Sequence, residues 1–286
     1  LASFLLLSSR KKNEKMTQQR LNKGLRWWVL IVAVINPFFS YLADALDITP
    51  RSIAEVSLQY NNYFMPAGYA FSIWGLIYLS FIVYAVYQIL SAQQKDSLYD
   101  KLAIPFITSN ILGMIWQVLF TRHMLSLASV FIIIMLLLSG IMFRRVKLAL
   151  RSEAYNNWLS FPFSLYMGWL SVANIANAAV WLVYMGWHGS SLGEQHWAVI
   201  MIIVATLLAV IISFRFSDGI YPLVVGWALG AIYVANQYTN NTVAADALLA
   251  TAAIFIYTIS FYIWSYLHQT EKRHGSLRKH NRALKH

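Results

Sequence analysis

The chain has 286 residues, of which 59% are hydrophobic and 12% charged, with a formal net charge of +11 and a mean hydropathy of +0.54. A soluble globular domain carries about a quarter charged residues, so that class is excluded. There is no cysteine, which excludes disulfides, thiolate metal sites and cysteine nucleophiles.

Apolar runs recur, each long enough to cross a hydrocarbon core of about 30 Å. They predict an all-α, polytopic transmembrane bundle of eight spans: 27–46, 67–92, 102–121, 124–143, 157–185, 196–214, 219–236 and 244–267. No short alternating segments of the β-barrel kind interrupt them. The chain begins with Leu, and residues 1–15 precede Met16. The run Ala2–Leu7 is too short for a signal core and is followed by its basic residues, so translation is expected to start at Met16, an alternative start codon being the other reading.

The connecting segments carry the charge in a pattern. Arg10 to Arg26, Lys95 and Lys101, Arg144 to Arg151, Arg215 and the tail from Lys272 to Lys285 fall on one side. That is 20 of the 22 basic residues, with Arg51 and Arg122 left on the other. Basic loops stay in the cytoplasm, so both termini are expected inside and the number of spans even. The positive charge therefore marks a membrane face, with the lipid bilayer and no nucleic acid as partner. The opposite face carries Asp44, Asp47, Glu55, Glu194 and Asp246. Its longest loop, 47–66, ends in Tyr60-Asn61-Asn62-Tyr63-Phe64-Met65-Pro66. These residues suit an interfacial aromatic belt or a lid over a cavity.

No acidic or basic residue falls in the middle of a span, and all seven His lie in loops, at span ends or in the tail. Proton-coupled carriers depend on such intramembrane groups, which counts against proton coupling. No nucleophile–base pair, phosphate loop or carboxylate pair is present, so the residues speak for binding rather than for an enzyme. No metal site and no obligatory cofactor is expected.

Three spans combine aromatic residues at helical spacing with polar ones. The second has Phe71, Trp74, Tyr78 and Phe81, and the third has Asn110, Gly113, Trp116, Gln117 and Phe120. In the fifth, Pro162, Tyr166, Trp169, Ala173, Asn177 and Trp181 share an arc of about 120°, with Asn174 at its edge. Such residues fill gaps and bond between helices, or line an apolar ligand pocket with a few placed polar groups. Phe71, Trp74, Tyr78, Trp116, Trp169, Asn174, Asn177 and Trp181 are the candidate ligand-binding residues. In the seventh span Gly226 and Gly230 permit close helix contact, within the chain or between two copies as a homodimer.

Residues 27–185 resemble the TspO/MBR family, the translocator or tryptophan-rich sensory proteins. The resemblance rests on Pro66 followed by Trp74 and Tyr78, and on Pro162 followed by Trp169, Asn177 and Trp181. Where the family has an Asn in its third span, this chain has Gly113, while Trp116 and Phe120 are kept. The animal cholesterol pattern is not carried over, because Tyr184 is followed by Met185-Gly186-Trp187-His188 without Lys or Arg.

The resemblance divides the chain into a basic segment 1–26, a five-span bundle 27–190, three added spans 191–267 and a basic tail 268–286. It is similar to a longer bacterial branch and implies a multi-pass protein of the cell membrane. It also implies a pocket at the outer end of the bundle for a small apolar ligand, a porphyrin such as protoporphyrin IX. Trp74, Trp169 and Trp181 would stack on the macrocycle and Asn177 would bond its polar edge. Permeation of another small or lipidic solute and breakdown of porphyrin are the alternative activities.

Overall fold

The structure is a computed structural model that describes residues 2–46, 48–60, 62–90, 97–152 and 155–283. Side chains are described from 23 to 267 within these stretches, except those of Asp44 and Tyr266. Much of the charge map (Arg10 to Arg20, Asp44, Asp47, Lys95 and Lys272 to Lys285), together with Asn61, lies outside the described side chains.

All described elements are helical. They are α1 (Ala2–Ala45), α2 (Ile53–Gln59), α3 (Ile73–Ile89), α4 (Ser97–Thr121), α5 (Leu125–Leu150), α6 (Phe161–Tyr184), α7 (Gly193–Phe216), α8 (Ile220–Asn236) and α9 (Asn241–Ala283). Short 3-10 turns at Gly68–Ser72, Asn157–Ser160 and Ser190–Leu192 lead into α3, α6 and α7. The protein is a polytopic helical membrane bundle. A helix is the form in which a chain satisfies its own backbone donors inside lipid.

Among the described residues, seven helices are long and apolar enough to cross a membrane. The eighth, α8, has 17 residues, about 26 Å at 1.5 Å per residue. Its path shows that it nonetheless crosses the bundle. Asn240, just before α9, donates to Gln195 near the start of α7 at 3.1 Å. Tyr257, well along α9, donates to Ser213 near the end of α7 at 3.2 Å. Helices α7 and α9 therefore run parallel, and α8 must return between them.

α1 packs on α3 and α4, α4 on α5, α5 on α6, and α6 on α8, which carries α7 and α9 beside it. Without water to drive helices together in lipid, close packing and interhelical hydrogen bonds hold them. Gly168 of α6 is one place where backbones must approach: a Cβ there would lie 3.0 Å from Val224 Cβ and 3.1 Å from the Tyr221 carbonyl of α8. Gly226 and Gly230 face Ile254 and Thr251 of α9, so the small-residue pair serves a contact within the chain. Ser109 bonds Tyr166 at 2.8 Å, joining α4 to α6.

The basic end is tied by two ion pairs. Arg26 meets Asp100 at 2.8 Å, and Lys147 meets Asp218 at 3.2 Å. Asp218 is buried but fully engaged: it accepts from Ser164 Oγ at 2.6 Å and from the backbone N–H groups of Ile220 and Tyr221 at 2.9 and 2.7 Å. Satisfied in this way, it caps α8 and pins it to α5 and α6.

Candidate functional site

An aromatic-walled cavity opens at the end of the bundle away from the ion pairs. Its side walls are Phe71 and Trp74 from the start of α3, Trp116 and Phe120 from α4, and Trp169, Ala173, Ala176, Asn177 and Val180 from α6. Its roof is Ile53 and Ser57 of α2 with Met65 and Pro66. Its unfilled space, with the open solvent at its mouth included, is about 420 Å³.

Local chemistry explains the roof. Ser52 and Glu55 form a reciprocal capping box: Glu55 N–H donates to Ser52 Oγ at 3.2 Å and Ser52 N–H to the Glu55 carboxylate at 2.7 Å. These bonds start a helix of only seven residues. They also lower the Glu55 pKa, the backbone bond from Ser52 most, then its hydroxyl. Asn62 then holds a turn, accepting from Phe64 N–H at 3.1 Å and donating to the Tyr60 carbonyl at 3.0 Å.

Two contacts secure this roof. At its rim, Tyr60 OH bonds His123 Nδ1 of the α4–α5 turn at 2.8 Å, and burial raises the Tyr60 pKa, helped by Tyr184. From behind, α8 braces the segment. Ala67 N–H donates to the Ala231 carbonyl at 3.0 Å, Asn236 to the Tyr63 carbonyl at 3.0 Å, and Trp227 Nε1 to the Ala70 carbonyl at 3.2 Å. The 47–66 loop is thus a cover, and the added helices support it.

Of the eight candidate residues, Phe71, Trp74, Trp116, Trp169 and Asn177 line this cavity. Tyr78 lines a neighbouring cavity of about 320 Å³ that shares Ile53, Trp74 and Trp116 with the first. Asn174 turns to α5 and donates to the Ile132 carbonyl at 3.2 Å and to Leu170 at 2.8 Å. Trp181 also faces α5, its Nε1 donating to Ser126 Oγ at 2.9 Å. Neither lines the cavity. Six residues on one helical arc do not share one neighbour, because α6 is flanked by α3, α5 and α8.

The polar atoms of the wall fall into two groups. Asn177 is engaged on both sides: its Oδ1 accepts from Trp116 Nε1 at 3.1 Å and its Nδ2 donates to Ser129 Oγ at 2.7 Å. The indole N–H groups of Trp74 and Trp169 are buried with no hydrogen-bond partner among the described residues. Trp74 stacks on Tyr78, with centroids 5.6 Å apart at 26°, and meets Trp169 edge-on at 6.4 Å and 83°. The free donors are therefore on the two tryptophans rather than on the asparagine.

The amide missing at position 113 is supplied in space by another helix. Asn36 of α1 donates to Asn110 Oδ1 at 2.9 Å, and its Nδ2 lies 3.8 Å from where a Gly113 Cβ would stand. Asn36, Gly113 and Gln117 line the neighbouring cavity beside Tyr78. There Ser40 donates to Gln117 Oε1 at 2.8 Å and bonds Tyr78 OH at 3.1 Å. The α1 amide carried no periodic signal of its own. The roof residues Ile53 and Ser57 did have one, since Ser52-x-x-Glu55 reads as a capping box before an apolar turn.

A family model described as TSPO-like protein matches residues 26–260. The match continues past 185, through α7 and α8 and into the first half of α9. No curated protein and no solved structure matches the chain.

Proposed function

The chain belongs to the TSPO-like family and is a multi-pass membrane protein, and on that premise we propose that its aromatic cavity binds a planar apolar ligand, a tetrapyrrole such as protoporphyrin IX, for sensing or transport. The supporting observation is the pair of buried, unpartnered indole donors of Trp74 and Trp169 in the wall of that cavity. Buried donors normally find partners, and leaving one unpaired costs about 1–3 kcal/mol. A ligand that brings acceptor atoms between the two rings removes that cost.

The walls otherwise offer aromatic and aliphatic surface, which suits a flat macrocycle. Entry proceeds by displacement of the roof at α2, whose rim is fastened by side chains, Tyr60 on His123 and Tyr184, while Tyr63 and Ala67 stay tied to α8.

Titration with protoporphyrin IX in detergent, followed by the porphyrin's own absorbance shift, tests this reading. A saturable shift that weakens in Trp74→Phe and in Trp169→Phe is expected. A shift that does not saturate, or that is unchanged in both variants, rejects it. Passage of the ligand, as against static binding, would use the neighbouring cavity, which shares Ile53, Trp74 and Trp116 with the first and is lined also by Asn36 and Tyr78. Flux into proteoliposomes separates the two.

A further inference from the structure

A second, open-mouthed pocket, of about 310 Å³ with the solvent at its mouth included, lies between the end of α6, the first turns of α7 and the segment 62–64. It shares no wall residue with the aromatic cavity. A tight turn builds it. Gly186, Gly189 and Gly193 all have positive φ, and a Cβ on Gly189 would lie 2.4 Å from the Gly193 backbone. Only glycine fits there. The turn brings Trp187 against Trp197, ring centroids 5.0 Å apart and 80° from parallel, which makes two adjacent walls of a box.

Tyr63 and Phe64 add further aromatic surface, and Glu194 is the one formally charged residue in the lining. Its carboxylate is paired with His188 Nδ1 at 2.5 Å, and the two side chains are 35% and 61% exposed. The carboxylate thus stands at the mouth under a solvent-facing cover. Trp197 Nε1 is buried with no hydrogen-bond partner among the described residues.

We propose that this second cavity binds an ammonium group carried on an apolar body, its charge held by the Trp187 and Trp197 faces and by Glu194. Aromatic faces attract a cation through the ring quadrupole, tryptophan most strongly, and desolvation strengthens the attraction. The carboxylate supplies the opposite charge, and the apolar lining takes the rest of the molecule. An oxygen on the same ligand would accept from Trp197 Nε1. His188 occupies Glu194 when the site is empty and yields it to the incoming cation. The same chemistry is offered by a choline-type lipid headgroup and by a free organic cation.

Benzyltrimethylammonium titrated into the full chain in detergent, followed by calorimetry, tests the site. Saturable binding is expected, weakened about tenfold in Glu194→Gln and in Trp187→Leu, strengthened in His188→Ala, and unchanged in Trp169→Phe. His188→Ala alters an exposed side chain and keeps the test open if a tryptophan variant fails to fold. Competition by short-chain phosphatidylcholine identifies a lipid headgroup as the source, and lack of competition a free cation. Absence of saturable binding, or binding indifferent to both Glu194→Gln and His188→Ala, overturns the proposal.

Discussion

Trp116 Nε1 donates to Asn177 Oδ1 at 3.1 Å, and this bond joins α4 to α6 in the wall of the aromatic cavity. Asn177 passes the connection on to Ser129 of α5 at 2.7 Å. One amide therefore spans three helices. Its first role is to hold the wall in place, and any bond to a ligand must use what hydrogen-bonding capacity is left.

Asn177→Ala should accordingly act on stability. It removes both bonds and strands the Trp116 donor. Interhelical hydrogen bonds in membranes average about 0.6 kcal/mol and reach about 1.7, so a loss of about 1–2 kcal/mol is expected. Thermal unfolding in detergent measures it, and an unchanged midpoint would contradict the bridging role.

Trp74→Phe and Trp169→Phe strand no donor. Each removes an indole N–H without a hydrogen-bond partner among the described residues, so stability should fall only through the cavity that the smaller ring leaves, by about 1–2 kcal/mol. Affinity for protoporphyrin IX should fall by about five- to tenfold per donor, since one hydrogen bond is worth about 1 kcal/mol. The porphyrin's own absorbance shift is the suitable readout, because the variants alter tryptophan emission.

Gly113→Asn places the family's amide where Asn36 already reaches. A Cβ there would stand in ordinary contact with Met135 Cε at 3.4 Å and Asn36 Nδ2 at 3.8 Å beside the neighbouring cavity, so the cost, about 1 kcal/mol, comes from the new amide competing with Asn36 for Asn110. Asn36→Ala on the same chain should recover most of that loss. A double-mutant cycle read by unfolding midpoints should show coupling above about 0.5 kcal/mol, and strict additivity would refute the replacement.

Gly168→Ala should separate α6 from α8, because the added methyl meets backbone and a branched side chain at about 3 Å. A loss of about 1–3 kcal/mol is expected. Gly230→Ala, whose nearest neighbour would be Thr251 at 3.7 Å, should be mild. Equal midpoints for the two variants would show that α8 is not seated on α6 as described.

The roof should loosen in acid. Bonds from Ser52 hold the Glu55 pKa below its ordinary 4.5, so the ionised carboxylate favours the formed α2 over the open one. That contribution is complete above the ordinary value and is lost as the pH falls through the depressed one. Amide exchange in α2, corrected for intrinsic rates, should rise below pH 4.5 in the parent chain. Glu55→Gln should remove the step.

Much of the architecture was legible because a membrane makes sequence reading local. In lipid each helix satisfies its own backbone, so apolar length alone marks it. The expected spans match the observed helices closely in number and order. The shortest, 219–236, corresponds to α8, which falls below the length that marks the other seven and is shown to cross by its neighbours' contacts. Phe71, Trp74, Trp116, Trp169 and Asn177 converge on one cavity as their spacing allowed. Asn174 and Trp181 sit on the same helix but turn to α5.

The sequence alone determined the helical class, the apolar spans and the family, since each depends on composition and spacing along one segment. Only the tertiary structure decided which polar atoms are spent and which are free. Asn177 meets Trp116 from sixty-one positions away, Asn36 reaches Asn110 and stands over Gly113 from α1, and α8 braces the roof through Tyr63, Ala67 and Ala70. A side chain's partner is set by the rotation and neighbours of its helix, and periodicity along that helix does not contain them.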